Sequence, residues 1–209
     1  MFSSHTGAAG NDLKITTVSV KPFAGQRPGT SGLWKKDQEF MQSGYVEALV
    51  QSTFNAMRGL VSGDFSNSTL VVGADWPDYN KEAIQKILHV AIGNEFGQIL
   101  VACGGILSTP AMSAVILSRK AFGGLILSAA HSTGSIDADL GIRYNISDGE
   151  PAPEAITERI YEFSQRINHY YWFQCDDIEI NKVGTQTYAL TKIEVFDPLA
   201  TIRAHEHLV

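Results

Sequence analysis

The chain has 209 residues, 44% of them hydrophobic and 18% charged, which is the composition of a folded globular protein with enough length for one sizeable core. Its formal charge is -6 and its 16 Lys and Arg residues are scattered, so the clustered basic surface that DNA or RNA binding requires is excluded. No basic and apolar secretory leader opens the sequence, and the longest apolar stretch, residues 121–130, falls far short of a bilayer core of about 30 Å; an intracellular protein without a transmembrane helix is expected, cytoplasmic unless an organellar transit peptide has been removed.

Residues 1–12 are small and polar and read as a flexible N-terminal segment ahead of one domain over 13–198. From Leu13 to Val20 apolar residues alternate with Thr, Ser and Lys, the period of a half-buried strand. Lys21 to Leu33, KPFAGQRPGTSGL, carries two prolines and three glycines and reads as a loop. Tyr45, Val46, Leu49, Val50, Phe54 and Met57 recur at helical spacing, predicting a helix over about 43–61 that Gly63 would end in a left-handed conformation.

A β-branched run at 70–73 predicts a strand, followed by a turn at 75–78 and a helix whose inner face is Ile84, Ile87, Leu88, Ala91 and Ile92. Strands at 99–102, 125–128 and 141–146 follow, with a helix opening at Pro110 between the first two. Past the turn-rich SDGEPAP, a fourth helix is expected from 154 to about 170, with Ile156, Ile160, Phe163 and Ile167 on one face. A polar connector, a strand over 192–196 and a tail at 199–209 complete the chain. Strands alternating with helices imply an α/β fold with helices on both faces of the sheet. Cys103 and Cys175 lie in apolar or strand-like contexts and are expected as buried free thiols rather than as one bridge.

Four segments in register resemble the phosphoglucomutase branch of the phosphohexomutase superfamily: KPFAGQRPGTSGL, GGILSTPAMSAVI at 104–116, AFGGLILSAAH at 121–131 and GIRYNISDGEPAPEAITERI at 141–160. The similarity runs over residues 14–198, the extent of that family's first domain. It implies a three-layer α/β/α sandwich with a mixed, mostly parallel sheet. It also implies a reaction that exchanges a phosphoryl group between a phosphoserine and glucose 1- or 6-phosphate.

The family's pattern around that serine is Thr or Ser, Ala, Ser, His, Asn, Pro, Gly, Gly, whereas this chain reads Ser128, Ala129, Ala130, His131, Ser132, Thr133, Gly134, Ser135. Ala130 stands where the phosphorylated serine belongs, and a methyl group has no lone pair with which to attack or carry phosphorus. The family's arginine after SGL is Trp34 here, its Gly-Arg after the second strand is Trp76 and Pro77, and its GIK lysine is Arg143. Both bidentate phosphate contacts of the arginines are lost, and Arg143 keeps the charge without readily releasing a proton. The Asp-Gly-Asp-Gly-Asp loop that holds the family's magnesium occurs nowhere in these residues, so no metal or other cofactor is expected.

His131, next to Ala130, reads as a solvated leftover of the site, and His205 and His207 as tail residues rather than metal ligands. Thr30, Ser31 and Gly32 offer backbone N–H groups for residual phosphate binding, set against simple retention of the loop for structural reasons. Tyr170, Tyr171, Trp172 and Phe173 follow the fourth helix, and a strand or turn buries only about half of such a run against its own core. With Trp34 and Trp76 they form the expected surface for protein partners in a multi-subunit assembly. The expected role is a non-catalytic structural or interaction module; the alternatives are a fragment of a longer phosphoglucomutase and a residual phosphosugar binder of weak affinity.

Overall fold

The computed structural model describes residues 15–60, 64–75, 80–130 and 139–200. Nine strands and five helices follow one another: β1 Ile15–Ser19, β2 Leu33–Lys36, α1 Asp37–Phe40, α2 Tyr45–Arg58, β3 Thr69–Ala74, α3 Asn80–Gly93 and β4 Gln98–Ile106, then α4 Thr109–Ser118, β5 Gly123–Ala130, β6 Asp139–Ile146, α5 Glu154–Ser164, β7 His169–Phe173, β8 Gly184–Tyr188 and β9 Thr191–Phe196, counted among the described residues.

Seven of the strands form one sheet in the order β2-β6-β5-β3-β4-β9-β8. Its centre, β5-β3-β4-β9, is parallel, and β6, β2 and β8 join antiparallel at the two sides. The fold is α/β with a mixed, largely parallel sheet, as expected. Parallel strands are covered on both faces, which is why Leu70, Val71 and Val72 of β3 are all buried despite opposite side-chain directions. Leu70 and Val72 enter the larger core, roofed by α2, α3 and α5, while Val71 joins Met112, Val115 and Ile116 of α4 in a smaller core on the other face. Full burial of each such side chain contributes about 1.5–3 kcal/mol relative to exposure.

The five apolar residues expected on the inner face of α3 are all buried, together with Ala83 and Val90. Ser108 caps α4 by accepting from the Ala111 N–H, with Pro110 in the first turn, where its missing N–H costs nothing. Helix α2 ends at Arg58, and Gly59 after it is right-handed, with φ -72°. The expected terminator Gly63 lies outside the described residues, as does the turn after Asp75.

Two expectations for the C-terminal part are corrected. Helix α5 stops at Ser164, where Tyr161 and Phe163 carbonyls are taken by Gln165 and Arg166 N–H groups, and it does not reach residue 170. The aromatic run, expected as a strand or turn, is strand β7, because aromatic residues suit an extended pleated surface and β1 offers a complete antiparallel partner from Ile15↔Phe173 to Ser19↔His169. Ile167 is buried from the connecting turn rather than from a helix face. The connector also contains β8, whose partly polar GTQTY pattern suits an edge strand. Cys103 and Cys175 are free and half-buried. Among the described residues no helix is long and apolar enough to cross a membrane.

Candidate functional site

The carboxyl ends of β3 and β5 lie side by side because those strands are parallel and in register from Leu70↔Gly123 to Ala74↔Leu127. Strand β6 runs back alongside β5, so Ala130, the last residue of β5, stands opposite Asp139, the first residue of β6. Just past β3, Asp75 anchors its N–H on the Leu127 carbonyl at 2.9 Å and accepts a hydrogen bond from the Ser128 hydroxyl at 2.6 Å. On the far side of β6, Lys36 of β2 pairs with Asp139 at 2.9 Å in an exposed ion pair. Position 130 is thus framed by an exposed hydroxyl–carboxylate pair and an exposed ion pair, and the charged groups of both are already engaged.

Trp34, Gly141 and Ser128 are successive cross-strand partners on β2, β6 and β5. The indole lies flat over Gly141, so close that a Cβ there would sit 2.9 Å from its ring atoms, and its N–H donates to the Ser31 carbonyl at 3.1 Å. Trp34 is therefore pinned on one side while 39% of its surface stays exposed. The loop before it is a tight turn in which Gly29 and Gly32 exchange backbone hydrogen bonds of 3.1 and 3.0 Å. Gly32 has φ +99° and presses against β6, where a Cβ would approach the Ile142 carbonyl oxygen to 2.7 Å. The Thr30 and Ser31 N–H groups make no backbone hydrogen bond among the described residues.

Arg143 faces the same side of β6 as Gly141, donates from Nε to the Asn145 carboxamide at 3.1 Å, and lies against the loop through Gly32. Its neighbour Asn145 donates in turn to the Gly149 carbonyl at 2.8 Å. Behind the loop, between Leu49, Thr53 and Ile160, there is free space of about 20 Å³, room for a water molecule but not for a sugar.

The structure brings Thr30, Ser31, Gly32, Trp34 and Arg143 together at the β2–β6 side of the sheet, near the strand ends that carry Ala130. His131 and Trp76 lie outside the described residues, as do Pro77, His205 and His207. The Tyr170–Phe173 run belongs elsewhere. Strand β7 packs on α2 and α3, whereas Trp34 projects from the face that also carries Ile126 and α4. Phe173 is wholly enclosed by its own chain, with 0% exposure, and is withdrawn as an interface candidate. Tyr170, Tyr171 and Trp172 are half-buried: Trp172 stacks on the His89 ring at 4.4 Å, and Tyr171 meets His169 edge-on. Burial, and then the charge of Glu47, raises the Tyr170 phenol above its ordinary value.

The Ser128–Asp75 contact joins residues 53 apart, and only the parallel β3–β5 register places them together. No spacing in the sequence points to it. Among the described residues no group of three or more His, Cys, Asp and Glu side chains is placed to hold a metal ion.

Residues 25–171 match the family model described as phosphoglucomutase/phosphomannomutase, alpha/beta/alpha domain I. The chain is 45% identical over 199 residues to the chloroplastic phosphoglucomutase of Arabidopsis thaliana, covering 95% of this chain and 32% of that protein. It is also 45% identical over 190 residues to the phosphoglucomutase of Rhizobium radiobacter, covering 91% and 34%. Among solved structures, the open form of the exocytosis-sensitive phosphoprotein pp63/parafusin (phosphoglucomutase) from Paramecium superposes with a TM-score of 0.81 at 29% identity, over 93% of this chain and 37% of that one. The chain thus spans about a third of the length of the curated relatives it matches. It belongs to the phosphoglucomutase/phosphomannomutase family, and residues 25–171 are its alpha/beta/alpha domain I.

Proposed function

We propose that this domain I has lost phosphoryl transfer and serves as a structural or interaction unit of a larger assembly. The observation that carries the reading is Ala130, at the end of β5, in the segment that resembles the family's phosphoserine motif. A residue without a nucleophilic atom cannot form the phosphoenzyme on which such a reaction depends. Ser128, whose hydroxyl donates to Asp75, is no direct substitute, because it stands two residues back along β5, about 6–7 Å of strand from the position of the family's serine. Trp34 and Pro77 in place of arginines reduce phosphate affinity further, each charge-assisted contact being worth about 1.5–3 kcal/mol. Thr30, Ser31 and Gly32 retain at most weak binding of a phosphosugar, and neither magnesium nor another cofactor has a role. The exposed part of Trp34, with Trp76 and the half-buried Tyr170, Tyr171 and Trp172, supplies the surfaces for protein partners. The proposed compartment is the cytoplasm, with an organelle as the alternative.

Incubation with glucose 1,6-bisphosphate and magnesium, followed by intact-mass measurement, tests the loss of chemistry. The unmodified mass is expected throughout. A stoichiometric phosphoryl increment, mapped to Ser128 or Ser132, overturns the proposal.

A second reading, that the chain is part of a longer phosphoglucomutase, is favoured by its coverage of 32% of a relative to which it is 45% identical. Immunoblotting of the native source separates the two: a band near the 22.7 kDa of this chain, running in a larger complex on a native gel, supports the assembly unit, and a band of about three times that mass supports the longer protein.

A further inference from the structure

A depression of about 200 Å³, away from the β5–β6 strand ends, is lined by Asn55, Phe163, Arg166, Ile167, Asn168 and His169. It opens where α2, the end of α5 and the start of β7 meet. No carboxylate lines it, and its polar side chains are ones whose free atoms are chiefly nitrogen donors.

The orientation of Asn55 follows from its neighbours. Gln51, with 0% exposure, accepts through Oε1 from the Tyr171 backbone N–H at 3.0 Å and from Asn94 Nδ2 at 2.8 Å. Since a backbone N–H can only donate, that atom of Gln51 is the oxygen, and its amide nitrogen is left to donate to Asn55 Oδ1 at 3.1 Å. The Asn55 oxygen is thereby engaged, and its NH₂ group is the end left for the depression.

Asn168 and His169 leave another donor. Their Oδ1 and Nδ1 atoms are 2.6 Å apart. If the ring carries its proton on Nδ1, the Asn168 NH₂ remains free; if on Nε2, the Asn168 amide turns to donate to Nδ1 and the ring Nε2–H remains. Arg166 holds its guanidinium over the Phe163 ring at 4.4 Å from the centroid. Among the described residues it forms no ion pair, and Glu162, one turn earlier on α5, does not reach it.

We infer that this depression is a binding site for a small oxyanion of the phosphate class. A tetrahedral oxyanion presents acceptors in several directions and suits a guanidinium fork combined with amide donors from α2 and from the α5–β7 turn. A planar carboxylate engages fewer of them. The carboxyl end of α5 opposes an anion through its dipole, but the Tyr161 and Phe163 carbonyls there are already satisfied by Ser164, Gln165 and Arg166. The site shares no residue with the loop at 29–32 or with the ends of β5 and β6, so it stands or falls independently of the proposed loss of phosphoryl transfer.

The test is a ¹H–¹⁵N titration of the full chain with inorganic phosphate, with acetate and chloride as arms at matched ionic strength. Phosphate should give saturable shifts in the Asn55 side-chain amide, in Arg166 Nε–H and in the Asn168–His169 pair. Arg166→Ala should weaken binding about tenfold or more, the equivalent of one charge-assisted contact. Asn55→Asp, which places a carboxylate in the depression, should abolish binding. Arg119→Ala, on a surface arginine paired with Glu194, should leave it unchanged. The absence of saturation, an equal response to acetate or chloride, or unchanged affinity in both Arg166→Ala and Asn55→Asp overturns the inference.

Discussion

Glu47 lies at the third position of α2 with 6% of its surface exposed, and its Oε2 has no hydrogen-bond partner among the described residues. Two effects act on its carboxyl in opposite directions. The amino end of the helix, through the dipole and the residue's own N–H, favours the charged form by about 0.3–1 kcal/mol. Leaving a buried polar atom unsatisfied costs about 1–3 kcal/mol, more when it is charged. Burial wins: the carboxyl is raised above its ordinary value, first by desolvation, with its own N–H and Lys86 offsetting part of this and Glu82 adding to it. The folded state therefore prefers the protonated form. Stability from this group is fully present below the ordinary carboxylate range and declines as pH rises through the raised folded value, above which the cost is constant. Glu47→Leu removes both oxygens at similar volume, and Lys86 keeps its other partner, Glu82, at 2.7 Å. The net gain at pH 8 should be about 1 kcal/mol, or about 2–4 °C in Tm for a domain of this size, shrinking as the pH is lowered toward 4. Thermal melts of both proteins across that range check it. A lower Tm for Glu47→Leu at pH 8, or a gain equal at all pH values, refutes the reasoning.

Phe96 is fully buried, stacked on Phe65 at 4.3 Å and tilted against Phe54 at 4.9 Å, so Phe96→Ala should cost about 3–5 kcal/mol in urea unfolding; a loss below about 1 kcal/mol would mean that this aromatic cluster is not part of the cooperative core. Burial, and then the charges of Asp176 and Asp177, push the Cys175 thiol up to about 11. At pH 8 this lowers its thiolate fraction about a hundredfold, and the greater nucleophilicity of a more basic thiolate recovers about a tenfold part of that. Alkylation of Cys175 by iodoacetamide should then run about tenfold slower than that of glutathione, and equal rates would contradict the assigned environment.

The elements legible in the sequence are those whose pattern and burial agree. The inner face of α3 and the central run of β3 are buried where their periodicity places them, because helices and parallel strands packed on a core have few alternatives. The misread elements depend on distant partners. The spacing of Ile156, Ile160, Phe163 and Ile167 carries the expected helix to about 170, but α5 stops at Ser164 and the chain from His169 is a strand because β1, about 150 residues away, supplies its hydrogen bonds. Strands β2 and β8 are short edge strands whose sequences, LWKK and GTQTY, carry no alternation of apolar and polar residues, and each is a strand only because its neighbour pairs with it. The same holds at the site: Ala130 and Trp34 stand out in segments that resemble the family's motifs, whereas the Ser128–Asp75 pair and the outward amide of Asn55 arise from register and from a buried hydrogen-bond network.

Persistence of the loop around Thr30 and Ser31 has a cause that involves no ligand. The Gly29–Gly32 clamp closes the turn that delivers the chain into β2, and Gly32 needs both its positive φ and its missing side chain to pass the Ile142 carbonyl. Trp34 then covers Gly141 and ties its indole to Ser31, so the loop, the edge strand β2 and the start of β6 form one packed unit. Any substitution that opened the turn would expose Leu33, which is 4% exposed, and unpair the β2 edge. Packing alone is thus reason enough for this segment to keep its form, whatever the chemistry at position 130. Ala130 at the end of β5 is a matter of chemistry instead, and the proposed loss of phosphoryl transfer rests on that position and not on the loop. The division between what packing holds and what only chemistry would hold is the physical basis of the proposal that this domain is a retained scaffold.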